Sequence, residues 1–100
     1  MYTLYGFPFS QHSRRVVSLL EETGLEYEFK NVDMMNGEHM SPTYLEINPN
    51  HQVPTLIADN VKIHESNAIL RYLCSKHDLE AWYPQDADQR AAVDQWLDWI

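Results

Sequence analysis

Apolar and polar positions follow two rhythms along this chain, and the switches between them mark out its elements. Residues 2–5, Tyr-Thr-Leu-Tyr, are aromatic and β-prone and Gly6-Phe7-Pro8 ends them, which predicts a short buried strand. Ser10 then stands where a helix N-cap would. Val16, Val17, Leu19 and Leu20 fall on one side of residues 11–23, and Gly24 stops the pattern. Leu25, Tyr27 and Phe29 alternate with Glu26, Glu28 and Lys30, the period-2 signature of a half-buried strand. The polar stretch 33–40, with Gly37, predicts a loop; Ser41 followed by Pro42 predicts a short helix over 42–47. Apolar runs at 53–58 and 61–64 flank Asp59–Asn60 and predict a hairpin. Glu65–Ser66 open a helix in which Ala68, Ile69, Tyr72 and Leu73 recur at helical spacing as far as His77. Residues 78–87 hold Trp82, Tyr83 and Pro84 and predict a linker. Val93, Trp96, Leu97 and Ile100 form one stripe of a last helix over 87–100.

The order is strand, helix, strand, helix, hairpin, helix. A strand–helix–strand start calls for a right-handed crossover and a parallel pair, to which the hairpin adds antiparallel strands. The expectation is an α/β sandwich, βαβαββα, with a four-stranded mixed sheet; this is the order of a thioredoxin-like domain. Composition agrees with one small domain. The chain has 100 residues, 44% of them apolar, with three Trp, six Tyr and three Phe, too much apolar area for a disordered chain. No run approaches the ~18 apolar residues of a membrane span, and the opening MYTLYGFPFS lacks the basic start and apolar block of a secretory signal. Cys74 is the single cysteine and has no internal bridging partner, which fits a reducing, cytoplasmic compartment.

Charge narrows the partners. Fifteen Asp and Glu against seven Lys and Arg give a net charge of −8, and Arg14–Arg15 is the longest basic run. Nucleic acid and anionic membrane surfaces, which are bound by clustered Lys and Arg, are therefore excluded as expected partners.

Three segments can carry chemistry. Ser10 lies at the turn into the first helix, where free N–H groups and the helix dipole favour an anion. A hydroxyl there can donate to a thiolate and lower the pKa of its thiol; the blander reading is a plain N-cap. Tyr5 and Ser13 are competing hydroxyl donors, Tyr5 reading more naturally as core. In Gln52-Val53-Pro54, a proline just before a strand is either cis, turning backbone groups outward toward an extended peptide, or an ordinary trans edge proline. At Glu65–Ser66, the Ser66 N–H and Oγ can hold a carboxylate and Glu65 an ammonium, as an α-amino acid head requires; simple helix capping is the commoner use. A metal site is not expected, since the five histidines lie at least 12 residues apart with no Cys at ligand spacing. Cys74 sits beside Leu70 and Leu73 as a buried inert thiol, and no Cys-x-x-Cys, Gly-rich phosphate loop or Gly-x-Ser-x-Gly occurs.

Taken together, YTLYGFPFSQHSRRV, NPNHQVPTL and ESNAILRYL resemble the active-site turn, cis-proline segment and Glu-Ser helix start of a cytosolic glutathione transferase N-terminal domain. Ser10 followed by Arg14 is most similar to the serine-type branch, theta- or delta-like and of bacterial type. The resemblance implies that Ser10 hydrogen-bonds the glutathione sulfur, with Tyr5 and Ser13 as alternatives. It implies that Val53 pairs main chain to main chain with the cysteinyl part ahead of a cis Pro54, and that Glu65 and Ser66 hold the γ-glutamyl head. His51, Gln52 and His39 would lie near the tripeptide or its glycine carboxylate. Asn67 is a departure, since some serine-type relatives have Arg there. The implied reaction is thiolate attack on a small electrophile, with glutathione as co-substrate and no tightly bound cofactor; the runner-up is a non-catalytic interaction module of the translation or transcription machinery. The resemblance makes residues 1–80 the glutathione-binding domain, 81–86 a linker and 87–100 the incomplete start of an all-helical second domain. It thus implies a truncated chain about half its natural length, homodimeric when complete.

Overall fold

The computed structural model describes residues 2–99. The chain divides into two compact units, one ending at Ile69 and the other beginning at Leu70. The first holds β1 (Tyr2–Gly6), α1 (Gln11–Thr23), β2 (Tyr27–Asn31), two single 3-10 turns (Met34–Asn36 and Glu38–Met40), α2 (Pro42–Ile47), β3 (Thr55–Ala58) and β4 (Val61–His64). Helix α3 (Ser66–Lys76) starts in this unit and runs on into the second, which also holds α4 (Ala87–Trp99).

The strands form one mixed sheet in the order β2-β1-β3-β4, with β1 and β2 parallel and the other pairs antiparallel. This is the thioredoxin-like fold, with α1 as the parallel crossover. Leu4 pairs with Phe29 on one side and Leu56 on the other, and Leu4 and Leu56 are fully buried at the middle of the sheet. Val16, Leu19 and Leu20 supply the buried stripe of α1. A second cluster gathers Val32, Tyr44 and Val53, with Tyr5, Phe7, Met34 and Ile47 packed against it.

Local signals fix the helix ends. The Ser10 side chain accepts from the Ser13 N–H at 3.3 Å, and Ser41 caps α2 through the Tyr44 N–H at 3.2 Å. Gly24 closes α1 in the left-handed region (φ 70°), with Gly24 N–H donating to Glu21 O and Leu25 N–H reaching Leu20 O. That last bond explains one difference from the sequence pattern: Leu25 belongs to the helix cap, so β2 begins only at Tyr27. Similarly, β3 begins at Thr55 and not at Val53, because Pro54 has no N–H for a ladder. The stretch expected as a plain loop folds into two 3-10 turns about Gly37, held where Asp33 accepts from Asn36 and the Asp33 N–H donates to Glu38.

In the second unit, Arg71 Nε donates to Asp94 and Arg71 Nη2 to Asp98, at 3.0 and 2.6 Å. The Tyr83 hydroxyl also meets Asp94, and the Arg90 guanidinium lies 4.0 Å over the Tyr83 ring while donating to Pro84 O. Of the stripe expected on α4, Val93 and Leu97 are half-buried but Trp96 is exposed, and Ile100 lies outside the described residues. Among the described residues no helix is long and apolar enough to cross a membrane.

Candidate functional site

Strand register brings the three candidate segments to one end of the sheet. Tyr5 pairs with Thr55, and Thr55 pairs with His64. The turn carrying Ser10 leaves β1 at this end, the loop carrying Val53 and Pro54 enters β3 there, and Glu65–Ser66 follow β4 there. The parallel neighbour β2 ends at the same edge, Gly6 opposite Asn31, so the turns containing His39 depart from it too.

Ser10 is half-buried at the N-terminus of α1. Its oxygen accepts the Ser13 N–H through a lone pair, which leaves the hydroxyl proton available to a further acceptor. Ser13 differs: it is fully buried and its Oγ accepts from the Phe7 N–H at 3.2 Å. Tyr5 packs edge-on to Tyr44, ring centroids 6.2 Å apart, within the Val32–Tyr44–Val53 cluster.

The Val53–Pro54 peptide is cis. Before it, Gln52 O accepts from both the Tyr44 hydroxyl and Asn48 Nδ2, the latter at 3.1 Å. Asn48 is fully buried, donates also to Thr55 Oγ1 at 3.2 Å, and accepts the Asn50 N–H at 2.9 Å. Tyr44 OH and Thr55 Oγ1 meet at 3.0 Å. Burial pushes the Tyr44 phenol above its ordinary pKa, against the opposing pull of its hydrogen bonds with Thr55 and Asn48, so it remains a donor. Sequence reasoning missed Tyr44, Asn48 and Thr55. The one available signal was Asn48 itself, a polar residue in the tight Asn-Pro-Asn link between a helix and a strand.

At the third segment, Glu65 adopts φ 73°, a sparsely populated region for a residue with a side chain. Its carbonyl accepts the Ile69 N–H at 3.0 Å, so it opens α3 from outside helical geometry. Ser66 is 5% exposed, its Oγ 3.5 Å from His12 Nδ1, and Asn67 Oδ1 accepts from Arg15 at 3.1 Å. His51 is also left-handed (φ 60°), and the Nδ1 atoms of His39 and His51 are buried without a hydrogen-bond partner. Among the described residues no group of three His, Cys, Asp or Glu is arranged to hold a metal.

Residues 1–75 match the family described as "Glutathione S-transferase, N-terminal domain". The chain is 41% identical over 95 residues to "Probable glutathione S-transferase GSTF2" of Oryza sativa subsp. japonica, covering 95% of this chain and 44% of that protein. It is 37% identical over 97 residues to "Glutathione S-transferase theta-1" of Homo sapiens, covering 96% and 40%. Among solved structures, human glutathione transferase theta-2 in complex with glutathione and an unknown ligand superposes with a TM-score of 0.94 at 36% identity, over 99% of this chain and 41% of that one. Glutathione Transferase E6 from Drosophila melanogaster gives 0.91 at 47% identity, over 95% and 44%. The chain thus spans less than half the length of these relatives.

Proposed function

The chain belongs to the glutathione S-transferase family as an N-terminal domain, and from that premise we propose that it binds glutathione and activates its thiol for conjugation to a small electrophile. The observation that carries the reading is the convergence of Ser10, Val53 and Glu65–Ser66 on one end of the sheet, set by the Tyr5–Thr55–His64 register. Glutathione presents a thiol, a central main-chain amide and an α-amino acid head, and each meets a matching group. Ser10 donates its unused proton to the sulfur at the positive end of α1. Val53 offers main-chain groups to the cysteinyl part, and Ser66 with Glu65 holds the carboxylate and ammonium of the γ-glutamyl head. His39 and His51, with Gln52 next to His51 in the chain, supply polar side chains for the glycine carboxylate.

In this mechanism the chain binds and orients the tripeptide. The thiol proton is lost to water, the thiolate accepts the Ser10 hydrogen bond, and its lone pair forms the C–S bond. As that bond forms, the electrophile's leaving group departs with its bonding pair or, in an addition, the acceptor's π pair moves onto its activating group and takes a proton from water. No covalent bond to the protein is made. A hydrogen bond to a charged group contributes about 1.5–3 kcal/mol, equivalent to about one to two units of thiol pKa. Residues 1–80 serve as the glutathione-binding domain, 81–86 as linker and 87–100 as the start of a helical domain, in a cytoplasmic homodimer.

The test is direct. Wild-type protein binds glutathione and lowers its thiol pKa, read by thiolate absorbance. Ser10→Ala raises that pKa by about one to two units and lowers kcat/KM about 10- to 100-fold, while glutathione affinity changes little. Ser10→Thr, which keeps hydroxyl and cap, restores most of it. Unaltered turnover in Ser10→Ala would shift the role to Tyr5 or Ser13; absence of glutathione binding by the wild type would return the chain to a non-catalytic interaction role.

A further inference from the structure

The two buried donors on Gln52 O bear on the ligand face of the next residue. A carbonyl has two lone pairs, and here the Tyr44 hydroxyl and Asn48 Nδ2 take both. The remaining capacity of the network is also used: Asn48 Nδ2 has its second hydrogen on Thr55, Asn48 Oδ1 accepts the Asn50 N–H, and Thr55 meets Tyr44. The amide of Asn48 has one workable orientation, because the reverse would set its oxygen against Gln52 O. The Gln52 carbonyl is therefore held inward by groups that are themselves fixed.

Among the described residues the cis bond is the following one, Val53–Pro54, so the Gln52–Val53 peptide is trans. A trans peptide is planar and points its N–H opposite to its C=O. Turning Gln52 O inward onto Tyr44 and Asn48 thus turns the Val53 N–H away from them. We propose that Tyr44 and Asn48 are positioning residues of the glutathione site, which lock the Gln52–Val53 peptide plane so that the Val53 N–H faces the main-chain carbonyl of the tripeptide. They touch no ligand; they act through Gln52. The proposal deepens the glutathione reading and rests on it.

It follows that loosening this clamp weakens the grip on the peptide part of glutathione and spares the thiol chemistry. Tyr44→Phe removes one donor and leaves the ring that packs on Tyr5. Asn48→Asp replaces the other donor by a carboxyl group, which only accepts when ionised. Gly24→Ala, at the opposite end of α1 from Ser10, serves as a control of lowered stability. The measurements are calorimetric Kd for glutathione, KM for glutathione against KM for the electrophile, and the Val53 amide resonance on saturation with glutathione. Tyr44→Phe is expected to raise the Kd and KM for glutathione about five- to tenfold, to shrink the Val53 amide shift, and to leave the bound thiol pKa and the electrophile KM unchanged. Asn48→Asp moves the same quantities in the same direction. A folded Tyr44→Phe protein with wild-type Kd and Val53 shift overturns the proposal. So does an equal loss of affinity in Gly24→Ala, which would make affinity a mere follower of stability. A wild-type protein that binds no glutathione removes the parent reading, and the proposal with it; a wild type that binds while Tyr44→Phe is silent removes the proposal alone.

Discussion

The Cys74 thiol is 6% exposed within α3, and burial pushes its pKa up, only partly offset by the Arg90 charge. Since the thiolate is the reactive form, native protein should react with an aromatic disulfide reagent at neutral pH far more slowly than the same protein in urea. Rapid native labelling would show Cys74 accessible. Tyr44 makes a pH prediction of definite sign. Its folded pKa lies above the ordinary phenol value of about 10, so the folded state retains a proton that the unfolded chain releases. The stability from Tyr44 is complete below that value and falls as pH rises past it. Tyr27 and Tyr83 are raised too, Tyr27 by burial and its Glu21 contact and Tyr83 by burial and Asp94, so wild-type alkaline unfolding is composite. The difference between wild type and Tyr44→Phe isolates one group. It should be largest near neutral pH, at about 1–2 kcal/mol for the lost hydrogen bonds, and should shrink above about pH 10. A constant difference by urea titration between about pH 8 and about pH 11 would exclude it. Ser10 was legible in the sequence because an N-cap is written within four residues. Tyr44 and Asn48 were not, because their role depends on Gln52 and Thr55 meeting them across a loop.

Elements were legible to the extent that local chemistry terminates them. Ser10 and Gly24 bracket α1, Ser41–Pro42 opens α2, and Asp59–Asn60 turns β3 into β4, all as the pattern predicts. Errors of one or two residues arise where a cap or a proline takes over a backbone group, as at Leu25 and Pro54. The register that gathers the site at one sheet end is a tertiary property and had no local signal. Two glycines show how different demands at element ends resemble each other in sequence. Gly24 sits at φ 70° with nothing within 4 Å of a built Cβ, so its constraint is backbone conformation. Gly6 has no such angle, but a Cβ there would lie 3.0 Å from the Phe29 ring and 3.1 Å from Ser13 Oγ. Gly24→Ala should cost about 1 kcal/mol, and Gly24→Asn, better tolerated in the left-handed region, less. At Gly6 the order reverses, because Asn is larger than Ala and the obstacle is space. Urea denaturation of the four variants decides this; Asn milder than Ala at both positions would refute the steric account of Gly6.

At the scale of the whole molecule, net charge and tryptophan placement make a joint prediction. All three tryptophans fall in the unit that begins at Leu70, and Trp82, Trp96 and Trp99 are 50%, 59% and 79% exposed. Trp96 and Trp99 stack edge to face on α4, which also carries Asp88, Arg90 and the Asp94 and Asp98 carboxylates paired with Arg71, in a chain of net charge −8. Exposed indoles in a negative field should emit at nearly the wavelength of the unfolded chain and be quenched freely by neutral acrylamide. Charged quenchers should differ: caesium ions are drawn toward the acidic surface and iodide is repelled. At low ionic strength caesium should therefore gain on iodide relative to their quenching of free indole. The gap should close as added salt brings the Debye length to about 8 Å near 0.15 M. Self-association over α4 would leave a different trace. As protein concentration rises, emission would shift to the blue and acrylamide quenching would fall, because the indoles leave water. Dilution series at two salt concentrations separate these cases. Blue, poorly quenched emission that persists at the lowest concentration would contradict the exposure of Trp96 and Trp99.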